Sequence, residues 1–320
     1  MVTSLRVVFF GTPEFAERTL ARLHDSAHAV VAVVTQPDRP RGRGQRLVAG
    51  PVKAYAVEHA LPVWQPEALR HEAFMAAMRA SSPDIAVVAA YGKILPQALI
   101  DVPHLGTINV HASLLPRWRG AAPVHRAILA GDVETGVTIM RLVRALDAGP
   151  MLARARVDIG PNETSAELEA RLADTGATLL VRTLDALAAG PVPEEPQPEA
   201  GITYAERLAR RESLVDWSRP AAIVHNHIRG LQPWPLAAVT FRGRRLLLLR
   251  SEIAHTRPLD VTPGTVTDVG PDSVVVATLP GAVRVTRLQL EGRPAMAVRD
   301  FLPGHPIASG DRFEPVVPTA

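Results

Sequence analysis

The stretch "LRVVFFGTPEFAERTLARLHDSAHAVVAVVTQ" (residues 5–36) decides the fold. "LRVVFF" (5–10) is a short apolar run rich in β-branched and aromatic side chains, and it stops at the turn "GTPEF". "FAERTLARLHDS" (15–26) then spaces its apolar residues at the helical period, and "AVVAVVTQ" (29–36) is a second unbroken apolar run. Strands that read as continuous apolar runs, joined by an amphipathic helix, belong to a parallel sheet covered on both faces.

Working outward, the alternation continues. "VKAYAVEHA" (52–60) reads as helix, "LPVWQ" (61–65) as strand, "ALRHEAFMAAMRAS" (68–81) as helix and "DIAVVAAYG" (84–92) as strand. "GTINVHA" (106–112) is a strand, "AAPVHRAILAG" (121–131) a helix, and "TGVTIMRLV" and "PMLARARVDI" (135–143, 150–159) are strands. "SAELEARLADTGATLLVRTLDALAAG" (165–190) is one or two helices. The spacing predicts an α/β domain over residues 1–189, Rossmann-like and doubly wound on a mostly parallel sheet. Residues 190–204 open with "GPVPEEPQPEAG", four prolines and three acids without apolar periodicity, and read as a linker. From 205 to 320 one helix, "SRPAAIVHNHIRGL", is followed by short strands separated by Gly, Pro and Asp turns. That texture predicts a small antiparallel, partly open β-barrel, with "LQPWPLA" (231–237) anchoring it through Trp234.

Composition narrows the chemistry. The chain has 320 residues, 47% of them hydrophobic, enough for one large or two ordinary domains. No apolar run approaches the roughly 20 residues of a membrane span. The start "MVTSLRVVFFGTP" meets Gly and Pro too soon for a secretory signal, so a soluble cytoplasmic protein is expected. With no cysteine, thiol nucleophiles, disulfides and Cys-based zinc sites are excluded. Net charge is only +3, but residues 205–320 hold fifteen arginines against eleven acids, which points to an anionic partner. Lysine occurs only at 53 and 93, so arginine abundance is itself a compositional habit, and placement counts for more than number.

Four features could carry function. The first βα turn has Gly11 and Pro13 in place of G-x-G-x-x-G, which speaks against NAD, and no P-loop motif exists. Asn109 and His111, at i and i+2 of a strand, point to one face at its carboxyl edge, where open α/β sheets bind ligands. An amide donor beside an imidazole suits attack on an acyl carbon; a turn cap beside a buried, satisfied histidine is the other reading. Asp147 also follows a strand and can orient His111 or pass a proton, or it can cap the turn before Gly149. Next, "TQPDRPRGRGQRLVAGPVK" (35–53) spreads Arg39, Arg41, Arg43 and Arg46 among Pro and Gly, an adaptable cationic loop suited to a phosphate backbone or simply a solvated one. Finally, His225 and His227 in "HNHIR" diverge on a helix and have no third ligand nearby, so no metal site is expected.

The segments "VVFFGTPEFA", "VTQPDRPRGRGQRL", "NVHASLLPRWRGAAPVHRAI", "GDVETGVTIM", "LDAGPML", "TYAERLARRESLVDW" and "LQPWP" together resemble the methionyl-tRNA formyltransferase family, over about residues 5–305. The resemblance implies a formyltransferase-fold catalytic domain, a C-terminal OB-like tRNA-binding domain, and formyl transfer from 10-formyltetrahydrofolate to methionine on initiator tRNA. It implies Asn109, His111 and Asp147 as the catalytic trio, Ser113, Leu114, Leu115 and Pro116 as a wall against the folate, and the 36–50 loop with Arg39, Arg41, Arg43 and Arg46 on the tRNA. No metal and no NAD are expected on those residue patterns, and a monomer is expected. Related readings are a formyltransferase for an amino-sugar nucleotide or small amine, which would not need the arginine loop, and a non-catalytic RNA-binding protein. The chain departs from the family pattern at Ala112, where Gly is common, at Ala148 and Pro150, where Thr and Asp are common, and at Arg207 and Arg210, where Lys is expected. A methyl group at 112 requires negative φ.

Overall fold

The computed structural model describes residues 4–41, 46–254 and 260–315, with backbone only at 41 and 46. It divides into two compact units. The first comprises residues 1–123, 135–157 and 169–205, and the second 124–134, 158–168 and 206–320. Residues 190–204, read as a linker, thus belong to the first unit. Their prolines suppress helix and sheet periodicity, but they do not prevent an extended segment from packing.

The first unit is built on β1 (Arg6–Gly11), α1 (Glu14–His24), β2 (Ala29–Val34), β3 (Arg39–Arg41), β4 (Arg46–Val48), α2 (Pro51–Glu58), β5 (Val63–Trp64), α3 (Glu72–Ala80), β6 (Ile85–Ala89), α4 (Gln97–Ile100), β7 (Thr107–His111) and β8 (Arg119–Gly120). Beyond these come β9 (Glu134–Arg141), β10 (Met151–Asp158), most of α6 (Ser165–Ala189) and β11 (Tyr204–Ala205), while α5 (Pro123–Ala130) and the first turn of α6 fall in the second unit. The main sheet runs β10-β9-β7-β6-β1-β2-β5. β5, β2, β1, β6 and β7 are mutually parallel, and β9 joins β7 antiparallel. The expected mostly parallel sheet is therefore present. Its order reverses at β1 and β6, so a crevice opens at their carboxyl ends, with the end of β7 next in line. Val7, Val8, Phe9 and Phe10 are all fully buried, which is why β1 reads as an unbroken apolar run. The 165–190 stretch is a single helix of 25 residues. The arginine-rich loop carries a short hairpin, Arg39 opposite Val48 and Arg41 opposite Arg46.

The second unit adds α7 (Ala221–Gly230), β12 (Ala237–Phe241), β13 (Arg244–Ala254), β14 (Val266–Val269), β15 (Val274–Ala277), β16 (Ala282–Leu290), β17 (Met296–Ala297) and α8 (Val298–Phe301). Its antiparallel sheet runs β12-β13-β16-β15-β14. The edge strands do not stay open. Thr240 of β12 exchanges backbone hydrogen bonds of 2.7 and 2.8 Å with Glu314, while Val266 of β14 donates to Asp311 and Phe313 to Gly264, both at 2.8 Å. Residues 311–314 thereby bridge both edges and close the ring. Trp234 is 52% exposed and is not the anchor; Trp217, 3% exposed, enters the core with Phe241, Phe301 and Phe313. Burial in that stretch falls instead to Leu231, Pro235 and Ala237. No helix among the described residues is long and apolar enough to cross a membrane.

Candidate active site

β7 ends at the carboxyl edge of the sheet, and its pleat sets Asn109 and His111 on one face. Asn109 is half-buried, and its side-chain amide has no protein partner among the described residues. His111 is buried, and Nε2 lies 2.9 Å from the Trp118 carbonyl oxygen. A carbonyl only accepts, so Nε2 carries the proton and the ring's orientation is fixed. Nδ1 then faces Asp147, whose Oδ2 is 3.8 Å away, too far for a direct hydrogen bond.

Asp147 reaches this position from a strained backbone, at φ +44°. Left-handed φ is uncommon outside glycine, and Asp is among the residues that tolerate it. Its Oδ2 accepts a 2.8 Å hydrogen bond from the Gly120 amide. Gly120 itself has φ +122°, and a Cβ there would stand 2.7 Å from the Ala205 carbonyl, so only glycine fits. The "RWRG" turn therefore does two jobs that its sequence does not reveal: Trp118 fixes His111 and Gly120 holds Asp147. Arg117 stacks on Trp118 with its guanidinium 4.4 Å from the ring centroid.

The four residues expected as a folate wall divide into pairs. Ser113 is fully buried, and its hydroxyl donates to the Arg117 carbonyl at 2.7 Å, which closes the turn. Leu115, 2% exposed, packs into a cluster with Met140 and Met151. Leu114 and Pro116 are half-buried and keep apolar surface toward solvent. Thr138 supports the turn from β9, donating to the Ser113 carbonyl at 2.7 Å and accepting from the Leu115 amide at 3.2 Å. Ala112 is absent from the residues with positive φ, so its methyl group is accommodated.

Of the basic loop, Arg39 is exposed, Arg41 and Arg46 have described backbone in the hairpin, and Arg43 lies outside the described residues. The hairpin stands on a polar base: Lys53 pairs with Asp38 at 2.5 Å, and Gln65 donates to Asp38 at 2.9 Å. Both partners hold the Asp38 carboxyl below its ordinary pKa. His225 and His227, the H-x-H pair, face protein groups. His225 lies 2.8 Å from the Pro161 carbonyl oxygen and 3.0 Å from Ser251 Oγ, and His227 lies 2.6 Å from the Glu212 carbonyl oxygen. Burial pushes both imidazoles below their ordinary pKa. No cluster of three potential metal ligands occurs among the described residues.

Sequence reasoning missed Trp118, Gly120, Thr138 and Gln197. The first three contribute backbone groups or a common hydroxyl, which leave no motif; Gln197 lies in the stretch read as a linker.

The formyl transferase family model matches residues 5–184, and the model for the formyl transferase C-terminal domain matches 207–306. Methionyl-tRNA formyltransferase of Burkholderia thailandensis is 49% identical over 98% of this chain and 98% of its own length. That of Burkholderia pseudomallei is 48% identical over 98% and 99%. Among solved structures, a sugar 3N-formyl transferase, WlaRD, superposes with TM-score 0.65 at 14% identity, covering 91% of this chain and 99% of its own. HypX from Aquifex aeolicus in complex with tetrahydrofolic acid gives TM-score 0.65 at 17% identity over 93% of this chain and 47% of its own. At those identities the structures speak for the fold alone. With both domain models matched and near half identity along the whole length, the chain belongs to the methionyl-tRNA formyltransferase family of formyl transferases.

Proposed function

We propose that this enzyme transfers the formyl group of 10-formyltetrahydrofolate to the α-amino group of methionine carried by initiator tRNA, yielding N-formylmethionyl-tRNA. The observation that carries this reading is the 49% identity to a methionyl-tRNA formyltransferase along 98% of both chains. Residues 1–189 act as the catalytic domain and 205–320 as an OB-like domain holding the tRNA. The enzyme works in the cytoplasm as a monomer.

A free α-amine titrates near ~7.7–8.0, and esterification lowers that value, so at neutral pH the nucleophile is largely uncharged and no covalent intermediate on the protein is required. The amine nitrogen attacks the formyl carbon and the carbonyl electron pair moves to oxygen. The unengaged Asn109 amide donates to that oxygen. Removing one such donor typically costs ~10²–10³ in kcat. His111, in its protonated form, keeps one N–H on the Trp118 carbonyl and offers the Nδ1 proton in the gap beside Asp147. The bond from the formyl carbon to the folate nitrogen then breaks, and the proton shed by the amine reaches that nitrogen through His111 and Asp147. Half-buried Leu114 and Pro116 fit a flat folate ring, while Ser113 and Leu115 hold the turn in shape from beneath.

Arg39, Arg41, Arg43 and Arg46 meet the tRNA backbone. Leu47, 71% exposed at the same hairpin, adds apolar surface for an unstacked base. The test is a formylation assay with 10-formyltetrahydrofolate and three acceptors: methionyl initiator tRNA, methionyl elongator tRNA and an amino-sugar nucleotide. Formylation of the initiator species is expected. Preferential formylation of the amino sugar would overturn the reading.

A further inference from the structure

We propose that Gln197 is a positioning residue for formyl transfer, which sets Asp147 against His111 through a hydrogen-bonded relay anchored on Arg119. This rests on the catalytic roles proposed above for Asp147 and His111. Gln197 Nε2 donates to two carbonyls of one loop, Asp147 and Gly149, each at 2.8 Å. Its Oε1 accepts from Arg119 Nε at 3.0 Å and Nη2 at 2.7 Å. Both protons and both lone pairs of the amide are therefore engaged.

The geometry closes a ring. Arg119 lies between Trp118, whose carbonyl accepts from His111, and Gly120, whose amide donates to the Asp147 carboxylate. Gln197 ties the opposite side of Asp147, its main-chain carbonyl, back to the Arg119 side chain. Asp147 is thus gripped at its carboxylate and at its carbonyl by one short segment, residues 118–120, that also fixes His111. Such a grip is needed because φ of +44° is not a resting place for a free loop. Gly149 adds a second constraint, since a Cβ there would stand 1.9 Å from the Arg141 carbonyl oxygen.

The segment bearing Gln197 is itself pinned. Glu195 exchanges backbone hydrogen bonds with Met151 at 2.7 and 2.9 Å, Glu194 pairs with Arg141 at 2.7 Å, and the Thr203 carbonyl accepts from the Arg119 amide at 2.9 Å. Arg119 is buried, and its charge polarises the amide it grips, which strengthens the two N–H bonds beyond it. Glutamine is the residue this requires. A glutamate of the same shape would pair with Arg119 but would turn an acceptor toward two carbonyl oxygens.

The decisive experiment measures kcat, KM and melting temperature for Q197E, Asp147→Ala and the double variant in the same formylation assay. The expectation for Q197E is kcat lowered by about tenfold to a hundredfold, as for an ångström-scale misplacement, with KM for both substrates within about twofold. In the Asp147→Ala background, Q197E should change kcat by less than about twofold, because the residue it positions is gone. A merely structural role would instead multiply the two losses and raise KM. Should Q197E not fold, Q197M, uncharged and of equal length, carries the same expectations. Wild-type kcat in the substituted enzyme, or independent losses in the double variant, would overturn the proposal. A wild-type enzyme that formylates no methionyl-tRNA would instead sink the proposed function.

Discussion

Asn109 and His111 differ in what the protein asks of them. Among the described residues the Asn109 amide at the end of β7 has no partner, whereas His111 is held at Nε2 by Trp118 and faces Asp147 at Nδ1. Asn109→Ala should therefore lower kcat by ~10²–10³ while leaving the melting temperature unchanged; steady-state turnover beside a thermal melt checks both. His111→Ala should abolish most turnover and also free the Trp118 turn, so a small stability loss should accompany it. Gly120 is a backbone position of the site that leaves no room for a side chain. Gly120→Ala meets the Ala205 carbonyl and an unfavourable φ together, which should cost ~1–3 kcal/mol and displace the amide that holds Asp147. Chemical denaturation and kcat, measured on one preparation, report the two effects.

On this reading one element holds the catalytic side chains and another meets the tRNA, and they are built differently. The β8 segment pairs parallel with β11, Arg119 with Tyr204 and Gly120 with Ala205, so the chain that leaves the catalytic domain becomes part of its site. Among the described residues the β3–β4 hairpin stands on a base formed by Lys53, Asp38 and Gln65. Neutralising Arg39, Arg41 and Arg43 to Gln should weaken tRNA binding and reduce the slope of log affinity against log salt by about one for each phosphate no longer neutralised. KM for 10-formyltetrahydrofolate should stay the same. Titrations across a salt series, read by fluorescence anisotropy, decide this; an unchanged slope would remove the loop from the tRNA interface.

At the scale of the molecule, pH acts through histidines. His28, His125, His225 and His227 all have imidazoles pushed below the ordinary pKa, burial being the largest cause in each. Folded, they stay neutral; unfolded, they take up a proton near pH ~6.5. The unfolded chain therefore binds more protons between that value and the lowered folded ones. Stability should be greatest above pH ~6.5 and fall as pH drops through the folded values, by up to ~1.4 kcal/mol per pH unit for each proton. Three of the four lie in the second unit, so that unit should melt first in acid. Differential scanning calorimetry from pH 7.5 to 5.0 should show its transition moving down and separating from that of the first unit. A transition that holds its position across the range contradicts this account.

Apolar periodicity sufficed for the parallel sheet, because strands buried on both faces cannot avoid reading as unbroken apolar runs, as β1 and β2 do. The same logic gave the second domain as a series of short strands, and the pleat alone set Asn109 and His111 on one face. Local pattern could not supply contacts made by the backbone or between residues far apart in the chain. The Trp118 carbonyl and the Gly120 amide belong to every peptide, so no side-chain motif marks them. Closure of the second sheet depends on residues 311–314 meeting strands some seventy and fifty positions away. The stretch 190–204 shows the limit most directly. Prolines and acids report the absence of regular structure, and they read as a linker; tertiary packing made it part of the first unit, with Gln197 against the Asp147 loop. Sequence by itself singled out Asn109, His111 and Asp147, and only the folded chain decided what holds them in place, because that work falls to peptide groups and distant partners.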